Sequence, residues 1–251
     1  MLKIERQNYI VKMLNANNIV KVTQISEKLK VSEMTIRRDL KEMEEEGILV
    51  RIHGGAKLSE DKNTSKSELS HKVKQNINKE LKTDIAKKIA SQIKDNETIF
   101  LGPGTTIEQS YEFINCNFAR IITNSYYLFE KFKDDNRFEL ILIGGKYRSR
   151  TGAFVGSISI DMISKINVQK SFIGVNGIYN NIVTNSNEEE GLLQKYILDK
   201  AEIKYIVADN TKLDLKDFYE FYDLYDIDYL ITDNHISEDL LKKYKSITKI
   251  I

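Results

Sequence analysis

The stretch FLGPGTT, Phe100 to Thr106, holds the one proline of a 251-residue chain. It follows an apolar run, TIFL, that reads as a buried strand, and it leads into TTIEQSYEFI, whose pattern begins a helix. GPGTT is therefore a strand-to-helix turn. In such a turn the free backbone N–H groups and the helix dipole converge on one point, which attracts an anion. Gly102 and Gly104 permit close backbone approach, and Pro103 fixes its own φ and limits the loop's freedom before a ligand arrives. Thr105 and Thr106 add hydroxyl donors. The same residues also suit an ordinary tight turn, so the rest of the chain has to decide.

Outward from this turn the rhythm repeats. Strand candidates ETIFL (97–101), ARIITN (119–124), FELILIGG (138–145), KSFIGVNGI (170–178), IKYIVAD (203–209), DYLITD (228–233) and ITKII (247–251) alternate with helical patterns, the first of them KTDIAKKIASQI (82–93). The runs are continuously apolar and rich in Ile, as strands covered on both faces should be. Residues 78–251 are expected to form an α/β domain with a doubly wound, largely parallel sheet. Ligands of such sheets collect beyond the carboxyl ends of the strands. Those ends carry Thr123 and Asn124, then Gly145, Lys146 and Arg148, then Asn176, and after IKYIVAD comes Lys212. The acidic run from Glu188 adds carboxylates. Together with Gly102 to Thr106 they describe a polar pocket, with cations for a phosphate and amides and carboxylates for hydroxyls.

Composition narrows the class. An apolar content of 41% fills a real core, and 38 Lys/Arg against 37 Asp/Glu leave no global charge argument for nucleic acid. The lone Cys116 cannot form an intramolecular disulfide, so a reducing cytoplasm is expected, with the thiol buried as a small hydrophobe. The opening residues offer no signal peptide, and no window approaches the roughly 18 apolar residues of a membrane span. His53, His71 and His235 lie far apart without metal-ligand spacing, so neither metal nor cofactor is expected, and His71 and His235 are placed at the surface.

Residues 1–58 follow a different pattern. Ile4, Tyr9, Ile10, Met13 and Leu14 make a helical stripe; after IVKV, Thr23 is a candidate cap for a second helix carrying Ile25 and Leu29 inward. Ser32 caps a third helix that buries Ile36, Leu40 and Met43 and stops at Gly47. ILVRIHGGAKL (48–58) then reads as strand, Gly-Gly turn, strand, which completes a winged helix-turn-helix. Opposite Ile36 the third helix presents Met34, Arg38 and Lys41, flanked by Thr35 and Arg37 and headed by Ser32. A polar and basic face of this kind suits a DNA major groove. Residues 1–58 carry eleven Lys/Arg against eight Asp/Glu, a local excess the whole chain lacks. Residues 59–77 are expected to be a linker, polar through residue 70.

VSEMTIRRDLKEMEEEGILVRIHGGA (31–56) resembles the N-terminal signature of the DeoR family of bacterial transcriptional regulators, with its TIRRDL-type recognition helix and a wing ending in HGG. The resemblance implies Thr35, Arg37 and Arg38 at DNA, with Arg51 and His53 of the wing near the phosphate backbone or minor groove. FLGPGTT, ITNS, LIGGKYR, FVG, NSNEEEG and ADNTK, in that order, resemble the family's sensor domain, which is similar in fold to ribose-5-phosphate isomerase. Gly102-Pro103 and Asn176 depart from the usual family motifs, which have Asp-Ser in the first loop and an Asp at the second position. They look like the subgroup that governs lactose catabolism in Gram-positive bacteria, and tagatose 6-phosphate is the effector this implies.

Two functions fit. One is a homo-oligomeric repressor that binds double-stranded operator DNA and is released by a sugar phosphate. The other is a sugar-phosphate isomerase with a DNA-binding extension, for which Glu188 to Glu190 would supply a base. Asn176 speaks against the second, because an amide cannot exchange the proton that isomerisation requires.

Overall fold

In the computed structural model, which describes residues 3–45, 49–58 and 68–251, the chain divides into two units, residues 1–77 and 78–251. The first unit begins with α1 (Lys3–Asn17), β1 (Ile19–Lys21), α2 (Val22–Leu29) and α3 (Glu33–Glu45), then the ribbon β2 (Leu49–Ile52) and β3 (Gly55–Leu58). Ile10 and Leu14 of α1, Ile25 of α2, and Ile36, Leu40 and Met43 of α3 are all fully buried in one core. Thr23 is not a cap: α2 starts one residue earlier, behind Lys21, and closes at Lys30, which takes φ 53°. α3 starts as its sequence says, with the Ser32 hydroxyl accepting from the Thr35 amide at 3.3 Å. The Ile4 side chain and the helix stop at Glu46 and Gly47 lie outside the described residues.

The ribbon pairs back onto β1, giving the antiparallel order β1-β3-β2. Gly54 turns the ribbon at φ 77°, in the left-handed region that favours glycine. Gly55 is needed for space: a Cβ there would lie 2.1 Å from the Val20 carbonyl oxygen.

Two charged residues share this core. Arg6 of α1 donates through Nε and a terminal nitrogen to the two carboxylate oxygens of Asp39 on α3, at 2.7 and 3.0 Å, with Asp39 1% exposed. The stretch read as linker is also partly built in. Residues 68–77 include α4 (His71–Lys74), whose Val73 enters the core with Leu69 and Ile77 packed against it. His71, expected at the surface, is buried there. Residues 59–67 lie outside the described residues.

The second unit is ordered by its main sheet. Among the described residues it has seven strands, all parallel: β4 (Thr98–Leu101), β5 (Ala119–Thr123), β6 (Phe138–Leu142), β9 (Val168–Gly174), β12 (Ala201–Val207), β14 (Tyr229–Ile231) and β15 (Lys249–Ile250). Successive strand residues face opposite cores. Phe100, Ile122, Ile173 and Ile206 pack on one side, and Ile99, Ile121, Phe172 and Tyr205 on the other. That is why these strands read as unbroken apolar runs. Cys116 is buried in the second of these cores, and burial pushes its thiol pKa up.

The strand order is β15-β14-β12-β9-β4-β5-β6. The chain winds from β4 outward through β5 to β6, crosses to β9 on β4's other side, and winds away through β12, β14 and β15. The winding reverses between β4 and β9, which leaves a crevice beyond their carboxyl ends. FLGPGTT leaves β4 at that point.

Two small antiparallel sheets were not foreseen: the hairpin β7 (Lys146–Arg148) with β8 (Ala153–Val155), and β10 (Gly177–Tyr179) with β11 (Ile182–Asn185) and β13 (Tyr219–Asp223). KSFIGVNGI is therefore two strands in two sheets, parted after Gly174. Helices α5 (Lys79–Ser91), α6 (Thr105–Ser110), α7 (Tyr126–Phe132), α8 (Ser157–Ser164), α9 (Glu188–Asp199) and α10 (Glu238–Lys245) alternate with the strands. No helix among the described residues is long and apolar enough to cross a membrane, and no group of three or more His, Cys, Asp and Glu among them could hold a metal ion.

Candidate nucleic-acid interface and ligand site

The exposed face of α3 is set by the burial of Ile36, Asp39, Leu40 and Met43 on its other side. Met34 is 79% exposed, enough to reach a thymine methyl group. Arg37, Arg38 and Lys41 are exposed, and Thr35 is half-buried beside Ser32, the two hydroxyl oxygens 3.0 Å apart. On the ribbon, Arg51 and His53 are exposed as well.

The arginines of this face have acidic neighbours. Arg37 donates to Glu33 at 3.1 Å, Arg38 lies 3.9 Å from Glu42, and Arg51 donates from Nε to Glu44 at 2.8 Å. Lys3, at 2.5 Å from Glu42, holds that carboxyl below the usual carboxylate range. The exposed pairs of Arg37 and Arg38 are weak in water, so a phosphate or a base edge can take over either guanidinium at small cost.

In the second unit a chain of contacts closes into a ring around the carboxyl ends of the strands. Thr123 at the end of β5 donates to the Leu101 carbonyl at the end of β4, at 2.7 Å. Its neighbour Asn124 donates from Nδ2 to the Phe154 carbonyl of β8 at 2.8 Å. β8 pairs with β7, whose Lys146 reaches Glu189 at 3.0 Å and whose Arg148 pairs with Glu190, both in the first turn of α9. From α9, Gln194 donates to the Gly174 carbonyl at the end of β9 at 3.2 Å. The Gly102 amide of GPGTT, donating to the Phe172 carbonyl of β9 at 2.9 Å, closes the ring.

Within the ring the candidate residues do different jobs. Gly102 donates its amide to the Phe172 carbonyl at 2.9 Å and ties the turn to β9. Gly104 takes φ 153°, and a Cβ there would meet no atom within 4 Å, so the turn needs its backbone freedom and leaves open space above it. Pro103 and Thr106 are half-buried and Thr105 is buried. α6 has only six residues, so its dipole is weak, and of the turn's amides that of Gly102 is taken by Phe172 while Pro103 has none.

Thr123 is fully buried, and its hydroxyl both donates to Leu101 and accepts from the Ser125 amide at 3.0 Å, so it shapes the site without offering a hydroxyl to a ligand. Asn124 is 3% exposed. The Phe154 carbonyl requires its Nδ2, which leaves Oδ1 buried and without a partner, an acceptor suited to a ligand hydroxyl. Gly145 serves packing: a Cβ would lie 2.1 Å from Ser159 Oγ.

The two cations differ as well. Arg148 is 18% exposed and shares Glu190 with Thr151, so it holds β7 to α9. Lys146 is 68% exposed in its side chain, in a weak pair, and can turn to an anion. Glu188 is exposed on the first turn of α9, which the Asn187 side chain caps by accepting from the Glu190 amide at 3.0 Å. Asn176 lies beyond Gly174 and donates to Asp217 at 3.2 Å. Lys212 follows β12, on the far side of β9 from β4.

Sequence reasoning missed Gln194, Thr151 and Glu44. Gln194 carried one signal, its position on the inward stripe of α9 with Leu193, Ile197 and Leu198. A polar residue on such a stripe needs a partner, here the Gly174 carbonyl and the Asn185 amide.

A family model described as the DeoR-like helix-turn-helix domain matches residues 6–62, and one described as the DeoR C terminal sensor domain matches residues 77–234. The chain is similar to a lactose phosphotransferase system repressor of Lactococcus lactis subsp. lactis, 38% identical over 100% of this chain and 99% of that protein. A protein of the same name from Streptococcus mutans serotype c is 40% identical over 100% of both. Among solved structures it is similar to a ribose 5-phosphate isomerase A from Methanocaldococcus jannaschii, with 16% identity, a TM-score of 0.39, and coverage of 54% of this chain and 55% of that one.

Proposed function

The chain belongs to the DeoR family, and on that footing we propose that it is a DNA-binding repressor of sugar-catabolism genes that a phosphorylated sugar releases from its operator. One observation carries the reading: a single chain joins an exposed basic helix face to a sheet whose switch-point loops close into a ring. Ser32, Met34, Thr35, Arg37, Arg38 and Lys41 meet the major groove, with Arg51 and His53 beside the backbone. The amides of Gly104, Thr105 and Thr106, the Thr106 hydroxyl and Lys146 take the phosphate, and Asn124 and Asn176 take hydroxyls. Full-length similarity to repressors of the lactose phosphotransferase system supports the sugar class, and tagatose 6-phosphate is the first effector to try. We read the ring as a sensor and not as an enzyme, working in the cytoplasm.

The test is a titration of DNA-bound protein with tagatose 6-phosphate, fructose 6-phosphate, ribose 5-phosphate and the unphosphorylated sugars. At least one phosphate should release the DNA where its free sugar does not. Release by free sugars as good as by their phosphates would sink the anion site.

On the DNA side, Arg37→Ala and Arg38→Ala are each expected to weaken operator binding by about 1 to 3 kcal/mol at fixed salt. Both side chains point away from the core, so the fold should survive. Unchanged affinity in both variants would remove the recognition face.

A single winged helix covers little DNA, and specific affinity in this class usually comes from paired half-sites. The full chain is therefore expected to sediment as a dimer or larger at micromolar concentration. A monomer there would contradict the paired arrangement.

A further inference from the structure

The last turn of α3 carries an acid, Glu44, which DNA binding by itself does not call for. Glu44 stands at the junction with the ribbon, and a carboxylate near DNA repels phosphate. Its contacts give it another task. One carboxylate oxygen accepts the backbone N–H of Arg51 at 2.9 Å and the other accepts that residue's Nε at 2.8 Å. β2 is an edge strand in the order β1-β3-β2, so an outward N–H on it has no strand to pair with. Glu44 supplies the missing acceptor, and in doing so links the end of α3 to the ribbon while orienting the guanidinium. The same two contacts, the backbone one foremost, hold its carboxyl below the usual carboxylate range.

We infer that Glu44 is a positioning residue for DNA binding, setting the ribbon and the Arg51 guanidinium at a fixed place relative to the recognition helix. This rests on the DNA-binding reading above, and it predicts a sign opposite to simple electrostatics. Removing an idle acid from a DNA face raises affinity. Removing Glu44 lowers it.

The experiment measures operator affinity of the full-length protein against salt concentration for wild type, Glu44→Ala, Glu44→Gln, Arg51→Ala and the Glu44→Ala, Arg51→Ala double variant. Glu44→Ala is expected to bind about 10-fold more weakly, with a slope of log K against log salt shallower by about 0.9, the loss of one phosphate contact. Glu44→Gln keeps an acceptor for the Arg51 amide and should recover most of the affinity. The double variant should lose less than the product of the two single losses, because part of what Glu44 does runs through the Arg51 guanidinium. Binding by Glu44→Ala as tight as wild type or tighter overturns the inference, and so does a double variant that loses the product of the two single losses. The slope and the double variant read the Arg51 contact itself, which a general loss of folding would not move selectively. If wild type itself shows no preference for its own upstream DNA, the DNA-binding reading fails instead.

Discussion

Asp39→Ala is expected to destabilise the first unit by about 3 kcal/mol and to abolish operator binding. The reason is the buried pair with Arg6. Asp39 is 1% exposed and Arg6 is 9% exposed, so the alanine variant takes from a buried guanidinium the carboxylate that accepts both its Nε and a terminal nitrogen. A small domain of this size is stabilised by roughly 0.05 to 0.15 kcal/mol per residue, so a loss of that order takes a large share of what it has. Asp39 also sits on α3 between Arg38 and Leu40, and the recognition face cannot keep its orientation once this helix loosens. Replacing the pair together, as Arg6→Met with Asp39→Leu, should restore much of the stability, because an apolar pair of similar bulk needs no desolvation. Amide hydrogen exchange resolved to α1 and α3 is the measurement, since a chain of two units does not unfold as one. A loss below about 1 kcal/mol for Asp39→Ala would show that the pair contributes little.

Thr106→Asp is expected to give a repressor that binds its operator normally and no longer responds to ligand. Thr106 is half-exposed on the turn proposed to hold the phosphate, whereas a carboxylate at buried Thr105 would threaten the fold. A fixed negative charge some 4 to 5 Å from a phosphate costs about 2 to 4 kcal/mol at an effective dielectric of 20 to 40, or at least about 30-fold in affinity. Folding should not suffer, since the Thr106 side chain is half-exposed and an aspartate there keeps its charge at the surface of the turn. Thr106 lies in the second unit and the recognition helix in the first, so operator affinity without ligand is expected to stay at the wild-type value. Ligand-induced release from operator DNA, measured for both proteins, decides the matter. A variant that releases DNA at wild-type sugar-phosphate concentrations would take the phosphate away from this turn.

Much of this could be read in advance because it depends on local patterns. The seven apolar runs are the seven strands of the main sheet, and each runs unbroken because both its faces meet a core. Ser32 caps α3 by a bond three residues along the chain, which a sequence motif can encode. Short strands such as Ile182–Asn185 and Tyr219–Asp223 escaped because they mix apolar with polar residues, and their pairing joins segments far apart in the chain. His71 escaped for a similar reason: four helical residues have no periodicity to read, and only their packing buries it.

The sequence by itself determined two domains, their fold classes, the exposed face of α3 and the loops that gather at one edge of the sheet. Hydrophobic period and turn chemistry act within a few residues, so one strand of letters carries them. Only the tertiary structure decided which polar groups remain for a ligand. Thr123, Asn124, Lys146 and Arg148 look equally available in the sequence, yet Thr123 uses its hydroxyl on Leu101, Arg148 is held by Glu190, and Asn124 and Lys146 keep an atom to offer. Arg6 and Asp39, 33 residues apart, are likewise two ordinary surface charges until α1 packs on α3 and makes them partners. A hydrogen bond or ion pair between distant segments depends on where the fold brings them, and burial then sets how much that meeting matters.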